Sequence, residues 1–521
     1  MLLNCPYPLM LKFLTERVGM MLNKYKIVAI FFTIFIGYYQ LSFSDNLNIV
    51  EPKNLSEVLT NFIKYDDDAY NYEFLEKSNS NDLDILVYLL TAQKWPINKT
   101  DSMTQTIWKH KLIIYIPKSN IKFNKILLYV NAGYNNKDGK EELTKEKVNF
   151  AEIAKQTQLP VIELRNNPNQ FLLIDEKLQK EDQILASTYL KVMDNPYKNA
   201  YLAGHLPMAK SVIKAIDASY DIFLKKYDIK IQEFILAGAS KRGWAIWLAA
   251  LEDSRVSAII PIVIDILNVP ETISHICQSY KDGCPEALRD YKNAGVIDKI
   301  HSKNFKQLMK IEDPFSYLSP EYDKKYQSRL SIPKYIINSS GDDFFVPDSS
   351  KFYFNKLPGN QNYIRYLPNS MHYLSGNPIS DALGNQKKVD DAISTFYKFQ
   401  AKNIILPDIK WEFKQNSINI TSSIKPEKVL LWYSINNNSR DFRCITSYSY
   451  MNLVLKKILS FFTNNLCDNK FKFKNINFHC NNISECLINI DIPNNKWTAA
   501  FAELHYNIDG NRFIVTTEVK I

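Results

Sequence analysis

From Ile85 onward the chain alternates short apolar runs with longer amphipathic stretches. ILVYLLTAQ (Ile85–Gln93) and KHKLIIYIP (Lys109–Pro117) are rich in β-branched residues and tyrosine, which predicts strands. KILLYVNAG (Lys125–Gly133) predicts a further strand that ends in a polar, glycine-bearing turn. Glu146–Gln158 has helical spacing, and LPVIELR (Leu159–Arg165) reads as a short buried strand. Two helical segments follow, roughly Lys180–Met193 and Pro207–Leu224. FILAGASKRGWAIWLAALED (Phe234–Asp253) reads as a strand, a sharp turn and a helix, and VSAIIPIVID (Val256–Asp265) as the next strand. Residues 266–330 are mixed and polar, helical in places, in the manner of an insertion. Strands are predicted at Pro333–Asp343 and Asn362–His372, with a helical stretch at Asp348–Lys356 between them and an amphipathic helix at Gln386–Gln400. Strands alternating with helices after Lys125 imply an α/β fold, a doubly wound and mostly parallel sheet, while the first strands suit a hairpin. Functional groups in such a sheet gather at the C-terminal ends of the strands.

The texture changes at both ends. Asn46–Asn79 is polar, with an acidic run at Asp66–Asp68. Beyond Leu406, short alternating runs such as KVLLWYSI, CLINIDI and RFIVTTEVKI are separated by Asn-rich turns, which predicts a small β-sandwich, immunoglobulin-like, over 406–521. Sequons at Asn98, Asn419 and Asn482 matter only in a host that glycosylates. Residues 45–405 form the predicted α/β domain, with 266–330 inserted.

The N-terminus carries Lys24 and Lys26, an apolar run Ile27–Tyr39 and then SFS at Ser42–Ser44. This is the layout of a secretory signal, assigned to 1–44, with Met20 or Met21 as an alternative start. The run is short of the roughly 20 residues of a bilayer span; an uncleaved membrane anchor is the alternative to export. Cysteine usage agrees with a secreted or periplasmic chain. Cys5 leaves with the signal, and Cys277, Cys284, Cys444, Cys467, Cys480 and Cys486 remain, an even number that favours disulfides. Cys277 and Cys284 are expected to pair, and the last four to pair among themselves in one of three ways. No CxxC occurs and the spacings are irregular, so no metal site and no cofactor is expected. The net charge of +9 is spread along the chain without a basic cluster, which argues against nucleic acid as a partner.

Candidate chemistry centres on GASKRG. Ser240 lies on the predicted strand-to-helix turn, two residues after Gly238. A nucleophile elbow needs small neighbours because strand and helix pack closely there. The usual G-x-S-x-G is imperfect: Arg242 stands where the last glycine belongs, and Gly243 follows one place later. A serine nucleophile needs a base, and the base an acid, in the chain order Ser, acid, His for this fold. His372, after a late core strand in PNSMHYLSG, is the histidine in the right place. Asp342, in NSSGDDFFVP, ranks first as the acid, with Asp343 and Asp265 as alternatives. Oxyanion donors are expected from the Lys241 backbone N–H and from the turn around Asn131, Ala132 and Gly133. The Lys241 ammonium is a further candidate beside the developing charge, against a plain solvated lysine.

GASKRGWAIWLAALEDSRVSAIIPIVIDILN closely resembles the signature of the PhoPQ-activated pathogenicity-related protein family, which also includes an autocrine proliferation repressor. TAQKW (Thr91–Trp95), WKHKL (Trp108–Leu112), EDQILASTY (Glu181–Tyr189), HLPMAKSVIKAID (His205–Asp217) and SGDDFFVPDSSKFYFNKLPG with its trailing PNSMH extend the match from about Tyr65 to about Arg443. The resemblance implies an α/β-hydrolase-like fold with an S-x-x-G elbow similar to that of glucuronoyl esterases, and supports Ser240, Asp342 and His372 as a triad. It supplies no substrate, since the family is named for regulation and virulence. By analogy with extracellular peptidases of the superfamily, Glu181 and Asp182 are candidates for gripping a substrate amine; an acidic pair favouring a helix N-terminus is the simpler account. The expectation is a secreted serine hydrolase acting on a small-molecule or peptide ester or amide, with no stable membrane span after signal cleavage. A protein partner stays open, and a non-catalytic secreted signalling or binding protein of the same fold is the alternative.

Overall fold

The computed structural model of the protein describes residues 50–443 and 472–521, apart from 81, 99, 101, 119–121, 136–140, 143–147, 282, 375–384, 479, 481–484, 491, 492, 494 and 495. The expected signal at 1–44, Cys5, Cys444, Cys467 and Asn482 lie outside the described residues.

The first helix of the described residues is one that the polar reading of 46–79 overlooked. A 3-10 turn at Leu55–Glu57 leads into α1 (Val58–Lys64). Leu55, Val58, Leu59 and Phe62 recur at helical spacing and are buried. Next comes β1 (Asn71–Asn79), an exposed strand with no apolar alternation to announce it. It pairs antiparallel with β2 (Leu83–Trp95), and β2 with β3 (Thr106–Pro117), which is the expected hairpin.

From there the sheet turns parallel. β4 (Lys125–Val130), β5 (Val161–Leu164), β6 (Glu233–Ala239), β7 (Val256–Ile262), β8 (Lys334–Ser339) and β9 (Asn362–Leu367) run side by side in the order β5-β4-β6-β7-β8-β9. β3 joins β5 antiparallel. These strands are buried nearly end to end, as expected of strands covered on both faces. α2 (Phe150–Thr157) lies against β5. α3 (Asp182–Asp194) packs on the inserted helices, whereas α4 (His205–Tyr227) and α5 (Lys241–Glu252) pack on each other. Residues 269–329 are helical in pieces: α6 (Val269–Ser279), α7 (Arg289–Asn293), α8 (Lys303–Glu312) and α9 (Lys325–Arg329). α10 (Asn385–Ala401) packs beside α2 and reaches β4 and β6. The result is an α/β-hydrolase-like sheet with helices on both faces.

The final strands form two antiparallel layers. β10 (Ile409–Lys414), β11 (Ser417–Ser422) and β14 (Glu485–Asn489) make one. β12 (Lys428–Asn436), β13 (Lys474–Phe478), β15 (Trp497–Ile508) and β16 (Asn511–Thr516) make the other, in the order β16-β15-β12-β13. β16 also meets β9, so this second layer continues the main sheet. Ile418, Ile488, Leu431 and Leu504 share one core with Tyr335, Phe396 and Phe399 of the α/β part.

Two disulfides are formed among the described residues. Cys277 is joined to Cys284 as expected, and Cys480 to Cys486, one of the three pairings open in the sequence. No helix among the described residues is long and apolar enough to cross a membrane.

Candidate active site

β6 ends at Ala239 and α5 begins at Lys241, so Ser240 is the whole of the turn. Its φ of 56° and ψ of −131° are a conformation that non-glycine residues rarely adopt. The neighbours hold it there. The Ser240 N–H donates to Ile262 O at 2.8 Å, and the Trp244 N–H donates to Ser240 O at 3.0 Å.

The late glycine has a physical reason. A Cβ on Gly243 would stand 2.8 Å from Gly238 O and 2.8 Å from Ile264 Cγ2. One on Gly238 would stand 2.9 Å from Arg242 O. Strand and helix touch through these two glycines, three residues after the serine rather than two. Arg242 is free to point elsewhere: its Nε donates to Asn167 O at 2.6 Å and its Nη2 to Glu181 Oε1 at 2.5 Å.

His372 and Asp342 lie on neighbouring loops at the C-terminal ends of β9 and β8. Three bonds stitch the loops together: Gly341 N–H to Ser370 O at 3.0 Å, Asn369 N–H to Ser340 Oγ at 2.9 Å, and Ser339 Oγ–H to Met371 O at 2.8 Å. His372 Nε2 lies 3.1 Å from Ser240 Oγ, and its Nδ1 3.0 Å from Asp342 Oδ2. The other carboxylate oxygen, Oδ1, accepts from the Phe344 and Phe345 N–H groups at 2.7 and 3.2 Å. An acceptor-only carboxylate at Nδ1 fixes the proton there, which leaves Nε2 to accept from the serine hydroxyl. The ring is buried against Phe344, with centroids 4.3 Å apart. Burial alone would lower its pKa; the charge and hydrogen bond of Asp342, with Asp343 adding to them, raise it above the ordinary value.

The alternative acids sit elsewhere. Asp265 accepts from Tyr353 OH at 2.6 Å and Tyr366 OH at 2.5 Å, so its carboxyl is committed to two phenols. Burial pushes its pKa up to about 8, against the lowering effect of both tyrosines. Asp343 is buried next door, but it is Asp342 whose carboxylate accepts the hydrogen bond of His372 Nδ1.

Lys241 is the first residue of α5, a position whose N–H has no intrahelical acceptor. Asn131 and Ala132 line the cleft beside Ser240. The Ala132 N–H donates to the Asn131 side-chain oxygen at 2.8 Å, and Gly133 O accepts from Gln170 Nε2 at 2.8 Å. The Lys241 side chain is not a solvated surface lysine. It is buried and ion-paired with Glu181 at 2.9 Å and Asp182 at 3.2 Å. Glu181 and Asp182 are therefore brought to the site, but their carboxylates face Lys241 and Arg242. Burial opposes the charge on Glu181; Arg242 and Lys241 outweigh it and hold the carboxyl well below the usual range. Gln170 completes the knot, accepting from the Glu181 N–H at 2.8 Å and donating to Glu181 Oε1 at 2.8 Å. Neither Gln170 nor Asn167 carries a local motif, and sequence reasoning missed both.

A cleft of about 390 Å³ opens over Ser240, His372 and Tyr373. Among the described residues, no cluster of three metal-ligating side chains is found.

The family model described as PhoPQ-activated pathogenicity-related protein matches residues 59–443. A curated relative, autocrine proliferation repressor protein A of Dictyostelium discoideum, is 31% identical over 408 residues, covering 75% of this chain and 77% of its own. Likeness to solved structures is more distant. An acetyl xylan esterase of a Paenibacillus species shares 12% identity over 67% of this chain and 96% of that one, with a TM-score of 0.42. Acetyl xylan esterase 1 of a Thermoanaerobacterium species shares 12% over 65% and 94%, with a TM-score of 0.38. By the extent of the family match and the identity to its curated relative, the chain belongs to the PhoPQ-activated pathogenicity-related protein family.

Proposed function

We propose that the protein is an exported serine hydrolase that cleaves an ester or amide bond, peptide bonds included, in a virulence or extracellular signalling setting. The observation that carries this is the continuous hydrogen-bonded line from Asp342 through His372 to Ser240, on a strained turn at the C-terminal edge of the sheet. His372 Nε2 takes the Ser240 hydroxyl proton as Oγ bonds to the carbonyl carbon. The carbonyl oxygen becomes an oxyanion, held by the Lys241 N–H and by the Ala132 or Gly133 segment. His372 passes its proton to the leaving group as that bond breaks. The same imidazole then takes a proton from water as the water oxygen bonds to the acyl carbon, and returns that proton to Oγ as the bond between the acyl carbon and Oγ breaks.

One observation favours a second reading, a non-catalytic signalling or binding protein of this fold. The Ala132 N–H is occupied by Asn131, so one of the two candidates for the second oxyanion donor is engaged. A fluorophosphonate probe separates the two. Covalent labelling that vanishes in Ser240→Ala supports the hydrolase, and well-folded protein that takes no label supports the binding protein.

A further inference from the structure

Ser240 borders two spaces. One is the open cleft, which it shares with His372, Asn131 and Ala132. The other is walled largely by the inserted residues 266–330, and His372, Asn131 and Ala132 are not among the described residues that line it. It measures about 60 Å³ at water centres. At roughly 10–15 Å³ per water it has room for about four to six waters, roughly 120–180 Å³ of liquid, a range that brackets the space a benzene-sized guest fills.

The wall of this second space is mostly apolar. Trp244 of α5 lines it together with Ile266, Ile273, Val296, Ile300 and Phe305, all of them buried. Its polar groups are engaged with one another. Tyr291 OH donates to Asp182 at 3.1 Å, Lys241 pairs with Asp182 at 3.2 Å and Glu181 at 2.9 Å, and Tyr189 OH lies 3.3 Å from His205 Nδ1. A charge carried into this space would lose its water without gaining a counter-ion.

Once Ser240 Oγ has bonded to the carbonyl carbon, that carbon also carries the oxyanion, the leaving group and the acyl chain. His372 must reach the leaving group to protonate it, so the leaving group lies on the cleft side. The turn at Asn131 and Ala132 draws the oxyanion to that side as well. The cavity is left for the acyl chain. We infer that it is the acyl subsite, shaped by the insertion for an uncharged aliphatic chain of about five carbons beyond the carbonyl, and that the leaving group is the part exposed in the cleft. The inference rests on Ser240 being the reacting residue, and it supplies the substrate class which that reading leaves open.

Methyl hexanoate and its isomer pentyl acetate test this on the full chain, because they hold the same atoms and differ only in which side of the ester bears the chain. kcat/KM is expected to be at least about tenfold higher for methyl hexanoate, to climb about fourfold per methylene from methyl butyrate to methyl hexanoate, and to drop at methyl decanoate. Filling the cavity by Ile273→Phe or Val296→Phe should bring the ratio between the isomers towards one; the wild-type series stands if neither variant folds. Equal rates for the isomers, a preference for pentyl acetate, or faster cleavage of monomethyl adipate overturns the proposal. Failure of the serine reading is seen separately, as absence of both turnover and fluorophosphonate labelling. Calorimetry then reads the cavity alone: hexanamide is expected to bind at least about tenfold more tightly than acetamide, and equal affinities overturn the subsite.

Discussion

His372 shows how two opposing effects divide at a single residue. Burial disfavours the imidazolium, yet the Asp342 carboxylate 3.0 Å away overcomes it and raises the pKa. A base must be neutral to accept a proton, so a raised pKa moves the loss of activity to higher pH. The acid limb of kcat/KM is expected to have its midpoint above about 6.5, the ordinary histidine value. Asp342→Asn removes the anion that raises the pKa and upsets the tautomer; the midpoint should fall, and kcat should fall about 10⁴-fold. A pH–rate profile of both proteins checks this, and an unchanged midpoint would detach Asp342 from His372. Ser240, Asp342 and His372 were nameable before any coordinates because each lies at a strand end with its own short motif. The partners of Lys241 were not nameable as such. Glu181 is 60 residues away, and no local pattern says that its carboxylate meets that ammonium rather than a substrate amine.

Between strand and helix, the spacing of the glycines matters more than their number. Gly238 and Gly243 stand where β6 and α5 touch, so the position of the last glycine reports which helical residue faces the strand. Gly243→Ala gains up to about 1 kcal/mol of helix propensity. It also drives a Cβ to 2.8 Å from Gly238 O and Ile264 Cγ2. Overpacking of this kind costs about 1–3 kcal/mol, so the net expectation is destabilisation, read as a lower urea midpoint, with slower fluorophosphonate labelling of the displaced Ser240. A midpoint at or above wild type would show that the contact is loose. β4 and β6 were legible as unbroken apolar runs, and α10 by the helical period of its apolar positions. Exposed β1 has no such period; its place is set by pairing with β2, which only the folded chain supplies.

At the scale of the whole molecule, the last strands are bound into the body of the protein. Phe513 of β16 packs against Tyr335, Tyr363 and Phe399, and Tyr335 OH donates to Ile514 O at 2.5 Å. Phe513→Ala is expected to cost about 3–5 kcal/mol and to lower the single denaturation midpoint of the protein. A separate early transition, with the rest unmoved, would mean that the C-terminal strands melt on their own. The sequence showed the change of texture at 406 but not this junction, because one continuous sheet and two separate ones leave the same alternating pattern.

Buried Asp265, bonded to Tyr353 and Tyr366 rather than to His372, makes the molecule a carrier of one extra proton. Its pKa of about 8 in the folded chain exceeds the ordinary 3.8, so between those values the folded protein holds a proton that the unfolded chain gives up. The stabilisation linked to that proton is complete below about pH 4 and fades as the pH rises through 8. Unfolding near neutrality therefore releases acid. Calorimetric unfolding in two buffers of different ionisation enthalpy should register close to one proton fewer for Asp265→Asn than for the wild type, and equal release would place the proton elsewhere.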